Sequence, residues 1–260
     1  MKVRITGNGL HNTYSEVQVT PHSDLKILVH DHSRRLIGIP LKPNNIFTRN
    51  HTVILGTKHR VSGIEHFFSA LYGLKLFRLR LDILGKELPI LDGSSQPFIA
   101  ALNGFKPSPA SFAYASQTID VRQRESYVTY TPDCKKSLVI DMKLTHPYIE
   151  PQSFVIRLNA RNYCHDIAPA RTFLFTTDND PRLRNLPPYG IGVTPSGMFS
   201  ASPLRFTDEL VRHKILDLLG DLYVLGRPVA GKITALNTSH KLNLSFVKKF
   251  NHYMLKNKSR

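Results

Sequence analysis

The clearest helical pattern in the chain runs from Thr207 to Leu225. At 100° per residue its apolar side chains cover one broad face. These apolar residues are Val211, Ile215, Leu218, Leu219 and Leu222. His213, Asp217 and Asp221 form a narrow polar stripe beside Lys214. The spacing predicts a helix with a buried face. Taken alone, the stripe is typical of a solvated edge with a hydrogen bond between residues four apart.

A second helical pattern spans Ser62 to Leu74. Its apolar residues recur at helical spacing and are Ile64, Phe67, Phe68, Leu71 and Leu74. Glu65 follows Ser62 by three residues, which is the spacing of a capping box at a helix N-terminus. The next stretch, Leu76 to Leu84, alternates apolar and polar residues and predicts a half-buried strand.

Shorter alternating runs predict the remaining strands, and each run ends at turn residues. In the first half they are 3–6, 17–20 and 25–30, and in the second half 118–121, 127–130, 138–144, 154–158 and 232–236. Short helices are expected over 98–102, behind Pro97, and from about Leu242 to the C-terminus. In each half the predicted order is therefore several strands followed by a helix, a strand and a helix. This order predicts an α+β fold in which one architecture occurs twice.

Residues 105–117 contain two prolines and many small residues, which is linker composition. We therefore place an N-terminal domain at 1–104 and a C-terminal domain at 118–260. An insert near 176–205 lies within the second domain. Its part from Pro181 to Pro203 is dense in Pro, Gly and Ser and lacks periodicity, so we expect a long, irregular loop there.

Composition narrows the class of protein. The 260 residues are 41% apolar and 21% charged, which is ordinary for a globular chain with a sizeable core. Two cysteines, Cys134 and Cys164, cannot form a disulfide framework or a cysteine zinc knot. No apolar run is long enough for a membrane span or a secretory signal. We therefore expect a cytoplasmic protein.

The charge balance is unusual, because 35 Lys and Arg against 19 Asp and Glu give a net charge of +16. Such an excess attracts polyanions of several kinds. The C-terminal basic residues stand beside an apolar helical face, and they are Lys248, Lys249, Lys256, Lys258 and Arg260. A docked helix with a solvated basic side is the favoured reading, and contact with acidic lipid or nucleic acid is the alternative. The chain lacks the interleaved aromatic and basic motif of RNA-binding proteins, so we expect no specific nucleic-acid partner.

Candidate chemistry centres on Glu65 and His66 together with His213 and Asp217. Two imidazoles and one carboxylate leave an open position on a catalytic zinc ion, and an adjacent glutamate can act as a general base. The competing reading for His66 is a satisfied core histidine. His240 follows a predicted strand and is an acid, a donor to an oxyanion or a polar cap, with Asp221 as a natural partner to orient it.

Six motifs occur in the same order as in a known family. They are GLH at 9–11, VSGIEHFFSALYGL at 61–74, ELPILDGSSQPF at 87–98, HP at 146–147, ARTFLF at 170–175 and FTDELVRHKILDLLGDLYVLG at 206–226. With these motifs the chain resembles UDP-3-O-acyl-N-acetylglucosamine deacetylase, the zinc amidase of lipid A synthesis. The resemblance implies two domains of similar β-α-α-β plan, packed helix layer to helix layer with the active site between them.

The resemblance also implies a metal site. His66, His213 and Asp217 resemble the zinc ligands, with one Zn²⁺ per chain and iron as the alternative metal. Glu65 resembles the general base, and Thr172 the hydroxyl that contacts the tetrahedral intermediate.

The other implied roles concern charge and substrate. His240 resembles the charged histidine that stabilises the oxyanion and assists departure of the amine, and Asp221 resembles the carboxylate that orients it. Phe173 resembles an aromatic residue that packs on the substrate, and Lys214 a contact to the diphosphate. The expected partner is a UDP-linked acylated glucosamine. A monomer is expected, and brief contact with a membrane surface is left open.

The chain departs from the family pattern at three positions near these motifs. Asn237 and Ser239 stand where the family has lysine and glycine, and Leu174 replaces a glycine in ARTFGF. These changes support an alternative reading, in which the chain binds a metal and a nucleotide sugar but has an altered substrate or little turnover.

Overall fold

The computed structural model describes residues 1–31, 33–49, 52–184 and 189–256 and confirms an α+β fold with two similar halves. The strands of the first half are β1 (Val3–Asn8), β2 (Tyr14–Pro21), β3 (Lys26–His30), β4 (Leu36–Gly38), β5 (Ile46–Arg49), β6 (Thr52–Leu55), β7 (Val61–Ser62) and β8 (Leu79–Leu84). The helices of this half are α1 (Glu65–Gly73) and α2 (Gln96–Ala101).

The second half contains more elements. Its strands are β9 (Ile119–Gln123), β10 (Ser126–Thr131), β11 (Leu138–His146), β12 (Ile149–Arg157), β13 (Thr172–Phe175), β14 (Gly190–Thr194), β15 (Gly197–Ser200) and β16 (Gly231–Leu236). Its helices are α3 (Ala160–Asn162), α4 (Pro181–Arg184), α5 (Glu209–Leu222) and α6 (His240–Lys256).

The two main sheets share one plan. In the first, with the order β1-β2-β8-β3-β4, the central β8 pairs antiparallel with β2 and parallel with β3. In the second, with the order β12-β11-β16-β10-β9, the central β16 pairs antiparallel with β10 and parallel with β11. A helix precedes and another follows each central strand. The duplication predicted from the element order is therefore present in the architecture.

The predicted elements lie close to their expected positions, with shifts at their ends. The strand predicted from Leu76 begins at Leu79, because Leu76 and Phe77 are buried in the connection after α1. The last helix begins at His240 rather than near Leu242. Its Leu242, Phe246 and other apolar residues are buried.

The basic side of α6 agrees with the favoured reading of a docked helix. Lys248 and Lys249 are exposed on this helix. Lys258 and Arg260 lie outside the described residues. None of the helices in the described part of the chain is long and apolar enough to cross a membrane.

The predicted linker at 105–117 has little regular structure but is attached to the second half. Ala113 is buried, and its N–H donates to the carbonyl oxygen of Pro228 at 2.7 Å. Its own carbonyl accepts from the Ala230 N–H at 2.9 Å, just before β16. The boundaries at 104 and 118 stay a prediction.

The prediction of an irregular loop between Pro181 and Pro203 was wrong for much of its length. The segment contains α4 and the hairpin β14–β15, and β14 also pairs parallel with β13. All five residues of β14 are buried. Apolar periodicity does not predict this strand, because Gly190 and Gly192 in GIGVT supply no side chain. Residues 185–188 of the insert lie outside the described residues.

Helix α1 packs against α5 and thereby joins the two halves. The close approach depends on Gly220 within α5. A Cβ atom at this position would overlap the backbone carbonyl of Glu65 in α1. The missing side chain therefore lets the two helix backbones meet beside Glu65.

Candidate active site

Glu65 and His66 occupy the first turn of α1, and both are buried. The capping-box reading is wrong, because Ser62 belongs to β7 and its hydroxyl donates to the Lys86 carbonyl instead. Ile64 precedes the helix, and no side chain caps it. Glu65 is therefore free of the structural role that its spacing suggested.

The polar stripe of α5 is not a solvated edge. His213, Asp217 and Asp221 are 2%, 4% and 1% exposed, so the helix buries its polar stripe as well as its apolar face. Burying three ionisable side chains costs free energy unless partners offset it. The stripe faces α1, which supplies His66.

His66, His213 and Asp217 form a compact group that could hold a metal ion. One ligand atom from each residue lies within 4.8 Å of the others. Nε2 of His213 lies 3.3 Å from Asp217 Oδ1, and Nε2 of His66 lies 4.0 Å from the same oxygen. The two imidazole rings meet edge to face with centroids 5.0 Å apart. The donor set is the one that catalytic zinc sites use.

The state of these side chains fits a metal. Asp217 Oδ1 is buried and has no hydrogen-bond partner among the described residues. Burial, reinforced by the nearby His213, lowers the pKa of His66 to about 3, which keeps its imidazole neutral as a ligand must be. The Ala170 carbonyl oxygen lies 3.1 Å from His213 Nδ1, so Nε2 of the same ring points toward the site.

Asp217 is held as an anion. Burial alone would raise its pKa, but electrostatic interactions with His213 and Lys214 outweigh burial and hold the pKa well below its usual range. Nζ of Lys214 donates to Asp217 Oδ2 at 3.0 Å. The carboxylate therefore keeps its charge and offers its other oxygen to the site.

Glu65 differs from Asp217 in its environment. Burial raises the pKa of its carboxyl group to about 7, although the charge of His240 opposes the shift. Its Oε2 atom is buried and unpaired within the described part of the chain. A carboxyl group with a pKa near neutrality can both take and return a proton.

His240 is the first residue of α6 rather than part of a preceding loop. Its Nδ1 lies 2.8 Å from Asp221 Oδ2, and its Nε2 lies 3.7 Å from Asp217 Oδ1. Burial would lower the pKa of His240, but the carboxylates of Asp221 and Asp217 raise it to about 10. His240 is therefore a fixed cation beside the metal-ligand group.

Phe173 and Lys214 line the same group. The ring of Phe173 lies 5.9 Å from that of His213, and Lys214 Nζ lies 5.1 Å from the centre of the Phe173 ring. Thr172 opens β13, two residues after Ala170, and its backbone N–H donates to the Gly93 carbonyl at 2.8 Å. Since side chains alternate along a strand, Thr172 shares a face with Leu174 and not with Phe173.

The loop at Asp92–Ser95 connects the halves, which its sequence did not reveal. The Gly93 carbonyl accepts from Thr172 of the second half. Within the first half, the Ser95 hydroxyl donates to the His66 carbonyl at 2.7 Å. Nη2 of Arg205 in the second half donates to Asp92 Oδ2 at 2.8 Å. This loop belongs to the motif at 87–98, but its support of the site depends on contacts between the halves that the motif does not indicate.

Two departures from the family pattern have structural roles. Asn237 adopts a left-handed conformation, with φ 50°, which asparagine tolerates well. Its Oδ1 accepts from the Thr145 N–H at 2.7 Å, and its Nδ2 donates to Thr145 Oγ1 at 2.8 Å. Ser239 accepts from the Leu242 N–H at 3.3 Å through its hydroxyl and so caps α6 next to His240. Both residues fix the backbone that presents His240.

Asn243 was not identified from the sequence as a residue of the site. It is fully buried, and its Nδ2 donates to Asp221 Oδ2 at 2.9 Å. The signal was its position three residues after His240, one helical turn away, on a face that is otherwise apolar.

Comparisons with known proteins agree with this geometry. Residues 1–252 match the family described as UDP-3-O-acyl N-acetylglycosamine deacetylase. The UDP-3-O-acyl-N-acetylglucosamine deacetylase of Helicobacter pylori is 33% identical over 258 residues, covering 95% of this chain and 88% of the relative. The protein of that name from Campylobacter hominis is 32% identical over 254 residues, covering 93% and 86%. This chain belongs to the UDP-3-O-acyl N-acetylglycosamine deacetylase family.

Proposed function

We propose that this chain hydrolyses the N-acetyl group of UDP-3-O-acyl-N-acetylglucosamine and releases acetate, a step of lipid A biosynthesis. The observation that carries the proposal is the buried group of His66, His213 and Asp217 with Glu65 and His240 beside it. Membership of the deacetylase family and the names of the relatives support the same substrate.

His66, His213 and Asp217 would hold the metal ion, which we propose to be zinc, one per chain, with iron as the alternative. When bound, such an ion supplies Lewis acidity, which polarises a carbonyl group and lowers the pKa of water. Asp217 contributes a negative charge and the imidazoles contribute neutral nitrogen, a set that suits zinc.

Glu65 is proposed to transfer the proton of the reaction. In its ionised form the carboxylate takes a proton from the attacking water as the oxygen adds to the acetamide carbonyl carbon. It returns this proton to the nitrogen as the carbon–nitrogen bond breaks, and His240 assists departure of the amine. The products are an amine and acetic acid, which ionises to acetate at neutral pH. Its raised pKa, about 7, suits both transfers because neither form is strongly favoured at neutral pH.

His240 supplies positive charge where negative charge develops. Its pKa of about 10 keeps the imidazolium charged at neutral pH, and Asp221 fixes its Nδ1 so that Nε2 points toward the site. A fixed cation in a buried site stabilises an oxyanion strongly, because little water screens the charge. Thr172 is proposed as a second contact to the tetrahedral intermediate, from the face of β13 opposite to that of Phe173.

Lys214 and Phe173 are proposed to bind the substrate. The ammonium group of Lys214 stands at the edge of the site, 19% exposed, where it can reach a diphosphate while its other contact, Asp217, stays buried. The half-buried ring of Phe173 offers an apolar surface next to His213.

The domain boundaries, location and assembly belong to the same proposal. We propose domains at 1–104 and 118–260 joined by the segment 105–117, with the active site between them. The chain is proposed to act as a monomer in the cytoplasm. Brief contact of its basic surface with a membrane suits an acylated substrate.

Acetate release tests the proposal. Purified protein loaded with Zn²⁺ is incubated with UDP-3-O-acyl-N-acetylglucosamine, and acetate is measured over time. We expect turnover in the unmutated chain and a loss of at least about 100-fold in Glu65→Gln, which keeps the size of the side chain but removes the base.

The matched control is Glu125→Gln, at an exposed glutamate in the turn between β9 and β10. It should retain the unmutated rate. Tight binding of the nucleotide sugar without acetate release would favour the alternative of a binding protein with an altered substrate. Equal rates for Glu65→Gln and the unmutated chain would contradict the role of Glu65.

A further inference from the structure

Two side chains of α6 converge on one carboxylate oxygen of α5. His240 Nδ1 and Asn243 Nδ2 lie 2.8 and 2.9 Å from the same atom, Asp221 Oδ2. The two donors are three residues apart and therefore project from the same side of the helix. Asp221 is thus held by a pair of donors rather than by His240 alone.

The orientation of the Asn243 amide follows from its partner. An ionised carboxylate only accepts hydrogen bonds, so the amide nitrogen must face Asp221 and the amide oxygen must face away. That oxygen, Oδ1, is buried and has no hydrogen-bond partner among the described residues. The only side-chain hydrogen bond that Asn243 makes within this part of the structure is the one to Asp221.

The stability of the fold alone does not explain an asparagine at position 243. Asn243 is 0% exposed, and its neighbours along α6 include Leu242, Phe246 and Val247, all buried in the core. A buried amide oxygen without a donor costs free energy, whereas an apolar side chain of similar volume avoids that cost. A buried asparagine that leaves its amide oxygen unpaired is characteristic of a functional constraint.

We propose that Asn243 is a positioning residue for His240 and acts through Asp221. Two donors on one oxygen resist rotation of the Asp221 carboxylate about its Cβ–Cγ bond more strongly than the His240 hydrogen bond alone. The position of Oδ2 in turn sets the direction of the His240 ring. In this arrangement Nε2 of His240 lies 3.7 Å from Oδ1 of Asp217, which is one of the three proposed metal ligands.

The kinetic part of this inference rests on the proposed function. Asn243→Leu removes the donor and keeps the volume. We expect a kcat about tenfold lower, in the range for residues that orient a catalytic group indirectly, with KM and zinc content unchanged. Thermal stability should change little, because the substitution removes the unpaired amide oxygen together with one of the two donors to the buried Asp221 carboxylate.

Asn251→Leu is the matched control, because Asn251 lies two turns further along the same helix, half-buried. It should leave kcat unchanged. A structural role for Asn243 predicts the opposite pattern, in which Asn243→Leu lowers the melting temperature and keeps kcat per folded molecule. That pattern would overturn the proposal.

A double-mutant comparison tests whether Asn243 acts through Asp221. In an Asp221→Leu background the acceptor of the Asn243 amide is absent, so adding Asn243→Leu should cause no further loss of kcat. A further tenfold loss in that background would show that Asn243 acts independently of Asp221 and would contradict the proposal.

Proton NMR supplies a readout that needs no substrate. In the unmutated protein the His240 Nδ1 proton, hydrogen-bonded to Asp221, should resonate far downfield and exchange slowly. Asn243→Leu should broaden this signal, and Asn243→Ala provides the same comparison if the leucine variant does not fold. An unchanged signal in the folded variant contradicts the proposal. If the unmutated chain releases no acetate, the proposed function fails and this signal alone decides the role of Asn243.

Discussion

The imidazole rings of His66 and His213 meet edge to face at 5.0 Å, although they come from different halves of the chain. Their meeting depends on the packing of α1 against α5, because each helix carries one of the two rings. The chemistry of the site is therefore coupled to the interface between the halves.

Gly220 is expected to control this interface. An alanine at an open position inside a helix stabilises a protein by about 1 kcal/mol relative to glycine. Here its Cβ would overlap the carbonyl of Glu65, and overpacking costs about 1–3 kcal/mol. We expect Gly220→Ala to lower the free energy of unfolding in urea and to weaken zinc binding, since Glu65 adjoins His66.

The control for this variant is Gly38→Ala in β4, where the nearest atom to an added Cβ is 3.8 Å away. Its free energy of unfolding should change by less than about 0.5 kcal/mol. If Gly220→Ala is as stable as the unmutated chain and binds zinc equally well, the helix contact does not constrain the site.

Local pattern predicted most of the fold but not the burial of the site. The helices around His66 and His213 follow from apolar periodicity, because core packing imposes that period on the sequence. The same periodicity made the stripe of Asp217 and Asp221 look solvated. The helices α1 and α6, which are not part of its helical pattern, bury it.

Other features depended on contacts that sequence spacing does not encode. The strand β14 was missed because glycines interrupt its apolar pattern. The spacing of Ser62 and Glu65 indicated a cap, but Ser62 pairs in β7 instead. Asn243 carries no signal beyond its distance from His240, so its contact with Asp221 appears only once α5 and α6 are packed.

A buried ion pair fixes the start of α5 and should make stability depend on pH. Arg171 and Glu209 are both 0% exposed and lie 2.8 Å apart. Burial would raise the pKa of Glu209, but hydrogen bonds from Arg171 and the Arg205 backbone outweigh it and lower the pKa below 4.5. The pair therefore contributes stability above about pH 4.5, and this contribution is lost as the pH falls through the lowered pKa.

Glu209→Gln tests this linkage. At pH 7 we expect a loss of about 3–5 kcal/mol in the free energy of unfolding, because the Arg171 charge stays buried without its counter-ion. The difference between the two proteins should be smaller at pH 3 than at pH 7, because acidification protonates Glu209 and removes the contribution of the pair. Urea unfolding at both values measures it, with the exposed Glu125→Gln as control. A loss that is equal at pH 7 and pH 3 would argue against the ion pair as its cause.

Lys214 should affect substrate binding more than turnover. Lys214→Ala removes a cation at the edge of the site, and charged hydrogen bonds contribute about 1.5–3 kcal/mol. We expect KM to rise at least about tenfold and kcat to change less. Lys241→Ala, at an exposed lysine next to His240, serves as control. An unchanged KM with weakened zinc binding would mean that Lys214 serves only to hold Asp217.

The most direct test of the account is a calorimetric titration of metal-free protein with Zn²⁺, because His66, His213 and Asp217 are proposed to form one metal site. We predict one Zn²⁺ bound per chain, loss of binding in His213→Ala, and unchanged binding in His165→Ala, at an exposed histidine. An unmutated chain that binds no zinc, or a folded His213→Ala variant that binds it equally well, would contradict the account.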